Sequence, residues 1–375
     1  MNIKSLPFDA EEILAGVRPW VECESPSWDG AAVSRMTAVA ASELQKEGAE
    51  IRLINGVSGW GDCVFADFSP RDSRPGLLIL GHLDTVHPIG AINGPLPWRV
   101  EGNRCYGPGL FDMKSGIYIA LDAYRKITAA GLETLPVRFL LTSDEESGSA
   151  ANRALIETFS RSQKYVLVPE GAQPNGNLVI GRFPARRFRL QTEGKPSHAL
   201  LQKSEGHSAL TSMARLVSAI DALESKEYSA TVTIMNGGQA VSTVPLDAYA
   251  EVVCTARTMA GLERAERDIR TCADQIPGCA LTLSIKSERP LWTPSKIDES
   301  LAAQAQSLAA ELGFSVGAEA LFGGSDGNFT GALGVPTLDG LGPVGADAHQ
   351  MTEHILIDTI VPRAQLLASI MTSLS

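Results

Sequence analysis

Short apolar runs alternate along this chain with stretches in which apolar residues recur three and four positions apart. "GLLIL" (76–80), "VRFLLT" (137–142), "KYVLV" (164–168) and "VPTLDG" (335–340) have the length and near-continuous apolar character of buried strands. Helical spacing predicts helices over 8–23 and 28–47, and another over 112–131. In the last of these Ile117, Leu121, Tyr124 and Ile127 share a face and Gly131 follows the end. Two more helices are expected near 300–312 and 358–373. Strands that alternate with helices predict an α/β fold whose mostly parallel sheet is sandwiched by helices.

The middle of the chain follows another order. "RRFRLQTEG" (186–194) reads as a strand and 207–225 as a helix with Leu210, Met213, Val217 and Ile220 on one side. "ATVTIMN" and "DAYAEVVCTAR" read as strands, 261–276 as a helix and "CALTLSIKS" (279–287) as a strand. That succession, β-α-β-β-α-β, is the ferredoxin-like pattern. Residues 183–290 are therefore expected to form a small α+β domain inserted into a larger one made of 1–182 and 291–375. A length of 375 residues agrees with two domains.

Composition narrows the partners. The net charge of −11 argues against nucleic acid, whose phosphates need clustered Lys and Arg. No apolar run approaches a membrane span, and the first residues carry no basic segment followed by an apolar core, so neither a membrane nor a secretory leader is expected. The six cysteines, at 23, 63, 105, 254, 272 and 279, are scattered without a CxxC pair, which favours free thiols in a reducing cytoplasm.

The chemistry sits where strands end. In open parallel sheets ligands bind outside the carboxyl ends of the strands. Those ends here carry His82 and Asp84 in "GHLDTVHP", Asp144, Glu145 and Glu146 in "TSDEESGS", and Glu170 in "PEG". Asp112 opens a helix after "GPGLF", and His349 follows the glycine-rich "GLGPVGADA". Carboxylates gathered in one crevice raise one another's pKa, and one or two divalent cations remove that penalty. His82 is thus expected to ligate a metal, with Asp84 two positions on, on the same side of an extended chain, anchoring its ring. Mixed imidazole and carboxylate donors suit zinc rather than calcium.

Taken together, "GHLDTVHP", "GPGLFDMKSG", "TSDEESGS", "PEG", "GKPSHA", "GGSDGNFTGALGVPTLDGLGP" and "AHQMTEH" resemble the motifs of the dizinc exopeptidases. That family includes bacterial glutamate carboxypeptidase, acetylornithine deacetylase and succinyl-diaminopimelate desuccinylase, and the resemblance runs from about residue 76 to the end. It implies two zinc ions per subunit, with cobalt or manganese as substitutes. His82 and Glu170 would hold one ion, Glu146 and His349 the other, and Asp112 would bridge them. Glu145 would be the general base and Asp84 an orienting group. The resemblance also implies that the inserted domain is a lid and dimerisation domain of a homodimer. His198 in "GKPSHA" would stabilise an oxyanion in the partner subunit's site, and Arg257 in "CTART" would bind a substrate carboxylate. Gly324 and Ser325 in "GGSDGN" could offer backbone N–H groups to the substrate, or serve the turn alone.

Departures from the family pattern fall in the lid. Thr255 stands where Asp is usual before Arg257, Ser242 replaces an Asn, and Leu200 replaces a Gly after "SHA". The implied reaction is removal of a C-terminal acidic residue, glutamate-like, from a small peptide or N-acyl amino acid. The rival within that chemistry is an N-acyl amino acid deacylase, and a more distant one is a non-catalytic binding homologue. A dinucleotide oxidoreductase is disfavoured because "GPGLFD" lacks the third glycine and the first βα position. His87 and His354 each lie five residues from an expected ligand, and His82 and His349 are preferred for their motif positions. His207 is expected at the surface.

Overall fold

A computed structural model describes residues 3–277 and 280–375. Cys279, and with it the start of the strand expected at 279–287, lies outside the described residues. The chain divides into two compact units. One comprises Met1–Arg182, Trp292–Leu321 and Ser325–Ser375, and the other Phe183–Leu291 with Phe322–Gly324.

The first unit is built on a six-stranded sheet. Its order is Glu50–Ile54, Cys63–Asp67, Val137–Thr142, Leu77–His82, Tyr165–Leu167 and Thr337–Leu338. The last four pair in parallel, and the first two add an antiparallel edge. Leu77–His82 and Val137–Thr142 are buried at every position, as strands covered on both faces must be. Each buried Leu or Ile in these runs stabilises the fold by about 1.5–3 kcal/mol relative to exposure. Helices Ala10–Glu22, Gly30–Lys46, Ser115–Ala129, Lys296–Leu312 and Ile360–Ser373 supply their buried faces to this one core. Their ends follow local chemistry: Asp9 and Asp29 accept from backbone N–H groups three residues on, and Ser295 with Asp298 forms a reciprocal capping box.

The second unit is a four-stranded antiparallel sheet, Tyr228–Gly237, Asp247–Ala256, Ala185–Glu193 and Ala280–Arg289 in that order. Helices Ala209–Asp221 and Met259–Asp274 cover one face, giving a core of its own around Phe188, Leu190, Met213, Leu216, Val252 and Ile269. Phe322–Gly324, expected with the larger domain, belongs here because Phe322 stacks on Phe183 and Gly324 lies against the Arg289 side chain. No helix among the described residues is long and apolar enough to cross a membrane.

Candidate metal centre

The strand Leu77–His82 delivers His82 to the carboxyl edge of the sheet, almost fully buried. Its Nδ1 lies 2.9 Å from the Asp84 main-chain oxygen and 3.5 Å from that residue's carboxylate. The main-chain oxygen is therefore the nearer anchor of the ring. The Asp84 carboxylate, expected to anchor the ring, lies farther off than its own main-chain oxygen but still faces the same nitrogen. With Nδ1–H so engaged, Nε2 points to Asp112 Oδ1 at 3.1 Å and to Glu170 Oε1 at 3.7 Å.

The Asp84 carboxylate also acts on the opposite wall. It accepts the backbone N–H groups of Glu145 and Glu146, each at 3.1 Å, and the Ser27 hydroxyl at 2.6 Å. It thus fixes the turn that places those two acids side by side. Asp144, next in sequence, takes no part in the cluster. It accepts from Asn152 Nδ2 and the Ala151 N–H, and burial pushes its carboxyl up to about 6.

Asp112 sits in an irregular turn, Leu110–Lys114, with an extended backbone at φ −118°. Its Oδ1 faces His82, and its Oδ2 faces His349 Nε2 at 3.3 Å. His349 Nε2 is also 3.0 Å from Glu146 Oε2. His349 adopts a left-handed φ of 66°, uncommon for a residue with a Cβ, in the loop between the paired segments Gly345–Ala346 and His354–Leu356. Glu170 comes close because the helix behind Asp112 starts against it. A Cβ on Gly116 would lie 1.7 Å from the Pro169 oxygen, so only glycine permits that approach.

The electrostatics are those of an acid cluster short of positive charge. Burial, and then the Asp112 charge, push Glu146 up to about 8. The same two causes raise Glu170 well above the usual carboxylate range. Burial opposes ionisation of Asp112, but hydrogen bonds from His349 and His82 hold it well below that range. For His82 burial disfavours the cation, yet Asp112, Asp84 and the Glu145 and Glu170 charges lift its pKa well above normal. His349 is lifted to about 11 by Asp112 and Glu146. Protons on the two imidazoles supply part of the charge that divalent cations would supply. His82, Asp112 and Glu146 bring one donor atom each within 4.8 Å of one another, a grouping able to hold a metal ion. The nitrogen and oxygen donor set fits zinc.

Other expected residues lie outside this cluster. Ser325 is fully buried, and its N–H donates to Asn328 Oδ1 and its hydroxyl to Asp339, which also pairs with Arg182 at 2.6 Å. That N–H is already used inside the turn, so the turn reading fits Ser325 better than substrate contact. Gly324 packs on Arg289 in the second unit. There His198 is exposed, and its Nδ1 accepts the Leu201 N–H at 3.2 Å, which leaves the proton on Nε2. Arg257 is exposed beside the rings of Phe183 and Phe322, at 5.4 and 5.3 Å. His207 is half-buried on Ser212. His354 stacks on Tyr106, and His87 pairs with Glu353.

Sequence reasoning missed three groups. Ser27 lies in "ESPS" (24–27), a break between two helices that pairs with Thr85. Glu353 stands inside "AHQMTEH", where only the histidines were weighed. Asp326, within "GGSDGN", accepts from Thr142 and Ser149 and ties that turn beneath the "TSDEES" strand end.

The chain is similar to known proteins. The model of peptidase family M20/M25/M40 matches residues 78–373, and the chain belongs to that family. It is a hydrolytic enzyme of the metallopeptidase and amidohydrolase kind. Carboxypeptidase G2 of Pseudomonas sp. (strain RS-16) is 26% identical over 316 residues, covering 82% of this chain and 76% of that enzyme. A succinyl-diaminopimelate desuccinylase of Verminephrobacter eiseniae is 28% identical over 307 residues, covering 76% and 75%. Human carnosine dipeptidase 1 has the same fold, with a TM-score of 0.79 at 14% identity over 97% of each chain.

Proposed function

We propose that this enzyme uses two zinc ions to hydrolyse the amide that joins a C-terminal acidic residue, glutamate-like, to a small peptide or acyl group. The observation that carries the reading is the split of Asp112, one carboxylate oxygen toward His82 and the other toward His349. In this reading Asp112 bridges, His82 and Glu170 complete one ion's protein ligands, and Glu146 and His349 the other's. Bound there, the zinc pair supplies Lewis acidity, which acidifies a water and polarises the scissile carbonyl.

The chain's own residues do the rest. Glu145 takes the proton of the attacking water and returns it to the departing nitrogen. Asp84 holds the Glu145 backbone so that this carboxylate keeps its aim. His198 presents Nε2–H as the donor for the developing oxyanion, within a homodimer formed through the second unit. Arg257 makes no ion pair among the described residues, which supports its pairing with a substrate carboxylate by its two-pronged donors. Cys63, Cys105 and Cys254 are buried free thiols, each pushed up to about 12, which fits the proposed reduced, cytoplasmic enzyme only in needing no disulfide.

A second reading, deacylation of an N-acyl amino acid, is favoured by the several desuccinylases among the relatives, at 25–28% identity. A hydrolysis screen separates the two. It compares N-acyl and dipeptide amides ending in Glu, Asp, Ala and Arg, with zinc and with cobalt. Preference for Glu across different acyl groups supports the carboxypeptidase reading. Preference for one acyl group whatever the C-terminal residue supports the deacylase. Absence of hydrolysis from all of them would overturn both.

A further inference from the structure

Glu353 is fully buried, 241 positions along the chain from Asp112, yet its carboxylate is spent on the Asp112 loop. Oε1 accepts the N–H groups of Phe111 at 2.8 Å and Asp112 at 3.1 Å, and Oε2 accepts that of Gly109 at 3.2 Å. The fourth donor is the buried His87, whose Nε2 lies 2.5 Å from Oε2. With three backbone N–H groups already donating to it the carboxylate is the acceptor, so His87 Nε2 carries the proton.

The loop needs this arrangement. Gly109, Phe111 and Asp112 stand at the start of the turn Leu110–Lys114, where no preceding helical turn offers their N–H groups a carbonyl. Gly109 takes a left-handed φ of 66°, and a Cβ there would lie 2.3 Å from Thr85 Cγ2, so the turn is also wedged against the strand-end loop that carries His87. At the far end, buried Lys114 donates to the Trp20 and Cys23 oxygens, each at 3.0 Å. The loop is pinned at both ends, and both pins act on its backbone or on Lys114 rather than on the Asp112 carboxylate.

Resting on the reading of Asp112 as the bridging ligand, we infer that His87 and Glu353 are positioning residues: a buried clamp that sets the Gly109–Asp112 loop in its ligand-presenting shape before any metal binds. The clamp joins the first and last of the quoted motifs to the second, and it assigns a task to a histidine that is not itself among the proposed ligands.

Hydrogen exchange on the metal-free full chain, together with chelator competition for zinc, tests this. In the wild type the amides of Gly109, Phe111 and Asp112 are expected to exchange slowly without metal. In His87→Ala and Glu353→Gln they are expected to exchange faster while Val137–Thr142 stays unchanged, with zinc affinity lower by about 10–100-fold. His87→Gln, which keeps a donor near the Nε2 position, is expected to lie closer to the wild type than His87→Ala. Fast exchange of these amides in the metal-free wild type would overturn the clamp. So would protection in both variants equal to the wild type, or a loss spread evenly over the unit. If Glu353→Gln does not fold, the two His87 variants carry the comparison. Slow exchange in a wild type that takes up no zinc would uphold the clamp and refute the metal reading.

Discussion

The two units hold their functional residues in opposite ways. In the first, almost every group at the strand ends is held by another: Asp84 by Ser27 and two backbone N–H groups, Asp112 by two histidines, and the turn carrying Glu145 by Asp84. In the second, His198 and Arg257 stand exposed, and beside His198 the side chains of Leu200 and Leu201 are more than four-fifths exposed. Departures from the family pattern cluster there too. A hydrolytic centre tolerates little variation because its acids share one charge balance. A surface loop that contacts substrate can change residue by residue, because few neighbours depend on it. On the proposed reading, the metal chemistry would lie in the first unit, and the second would add the oxyanion donor and the substrate contacts.

Substitutions can break that division. Glu145→Ala should lower kcat by about 10³–10⁴-fold while zinc content, measured by mass spectrometry, stays at the wild-type value. Near-normal turnover would remove Glu145 from the base role. His198→Ala should cost about 10²–10³-fold, mostly in kcat, as expected for loss of an oxyanion donor. Unaltered kinetics would make His198 structural and empty the second unit of chemistry. Arg257→Ala should raise KM for glutamate-ended substrates by about 10–100-fold, from the loss of charged hydrogen bonds of about 1.5–3 kcal/mol, and should barely affect substrates ending in Ala. An equal loss on both would place substrate choice elsewhere.

The parts legible in sequence were those that depend on local pattern. Fully buried parallel strands announce themselves as apolar runs, so the Leu77–His82 and Val137–Thr142 strands and the groups at their ends stood out. The β-α-β-β-α-β order of the second unit was readable because its strands alternate buried and exposed positions. Weaker edges escaped. Glu50–Ile54 is largely exposed, and Leu178–Arg182 forms its ladder with the distant Ala318–Leu321, a partner no local pattern reveals. The supporting shell was hidden for the same reason. Ser27 and Glu353 act on residues 57 and 241 positions away, and a lone Ser or Glu in a turn carries no local mark of such a partner. Asp84 was found, but its hold on the Glu145 and Glu146 N–H groups was not, because those partners lie 61 and 62 positions away.

The last test concerns the charge balance alone, and its effect is the smallest because the zinc-loaded enzyme should lack most of it. In the metal-free protein Glu146 is raised from 4.5 to about 8 and His349 from 6.5 to about 11. Between pH 5 and 8 the folded chain therefore binds more protons than the unfolded chain at both groups. Stability linked to them is fully present below the unfolded pKa values and is lost as pH rises toward the folded ones. The Tm of metal-free protein should fall across pH 5–8. Zinc takes the place of those protons, so the gain in Tm on adding zinc should grow over the same interval. Glu146→Gln removes one of the cluster's raised titrations and should flatten the metal-free slope, whereas Glu251→Gln, on the open face of the second unit's sheet, should leave it unchanged. A metal-free Tm that rises with pH through this window, in calorimetry at constant ionic strength, would show that the cluster does not hold its protons and that the first unit is not strained for want of cations.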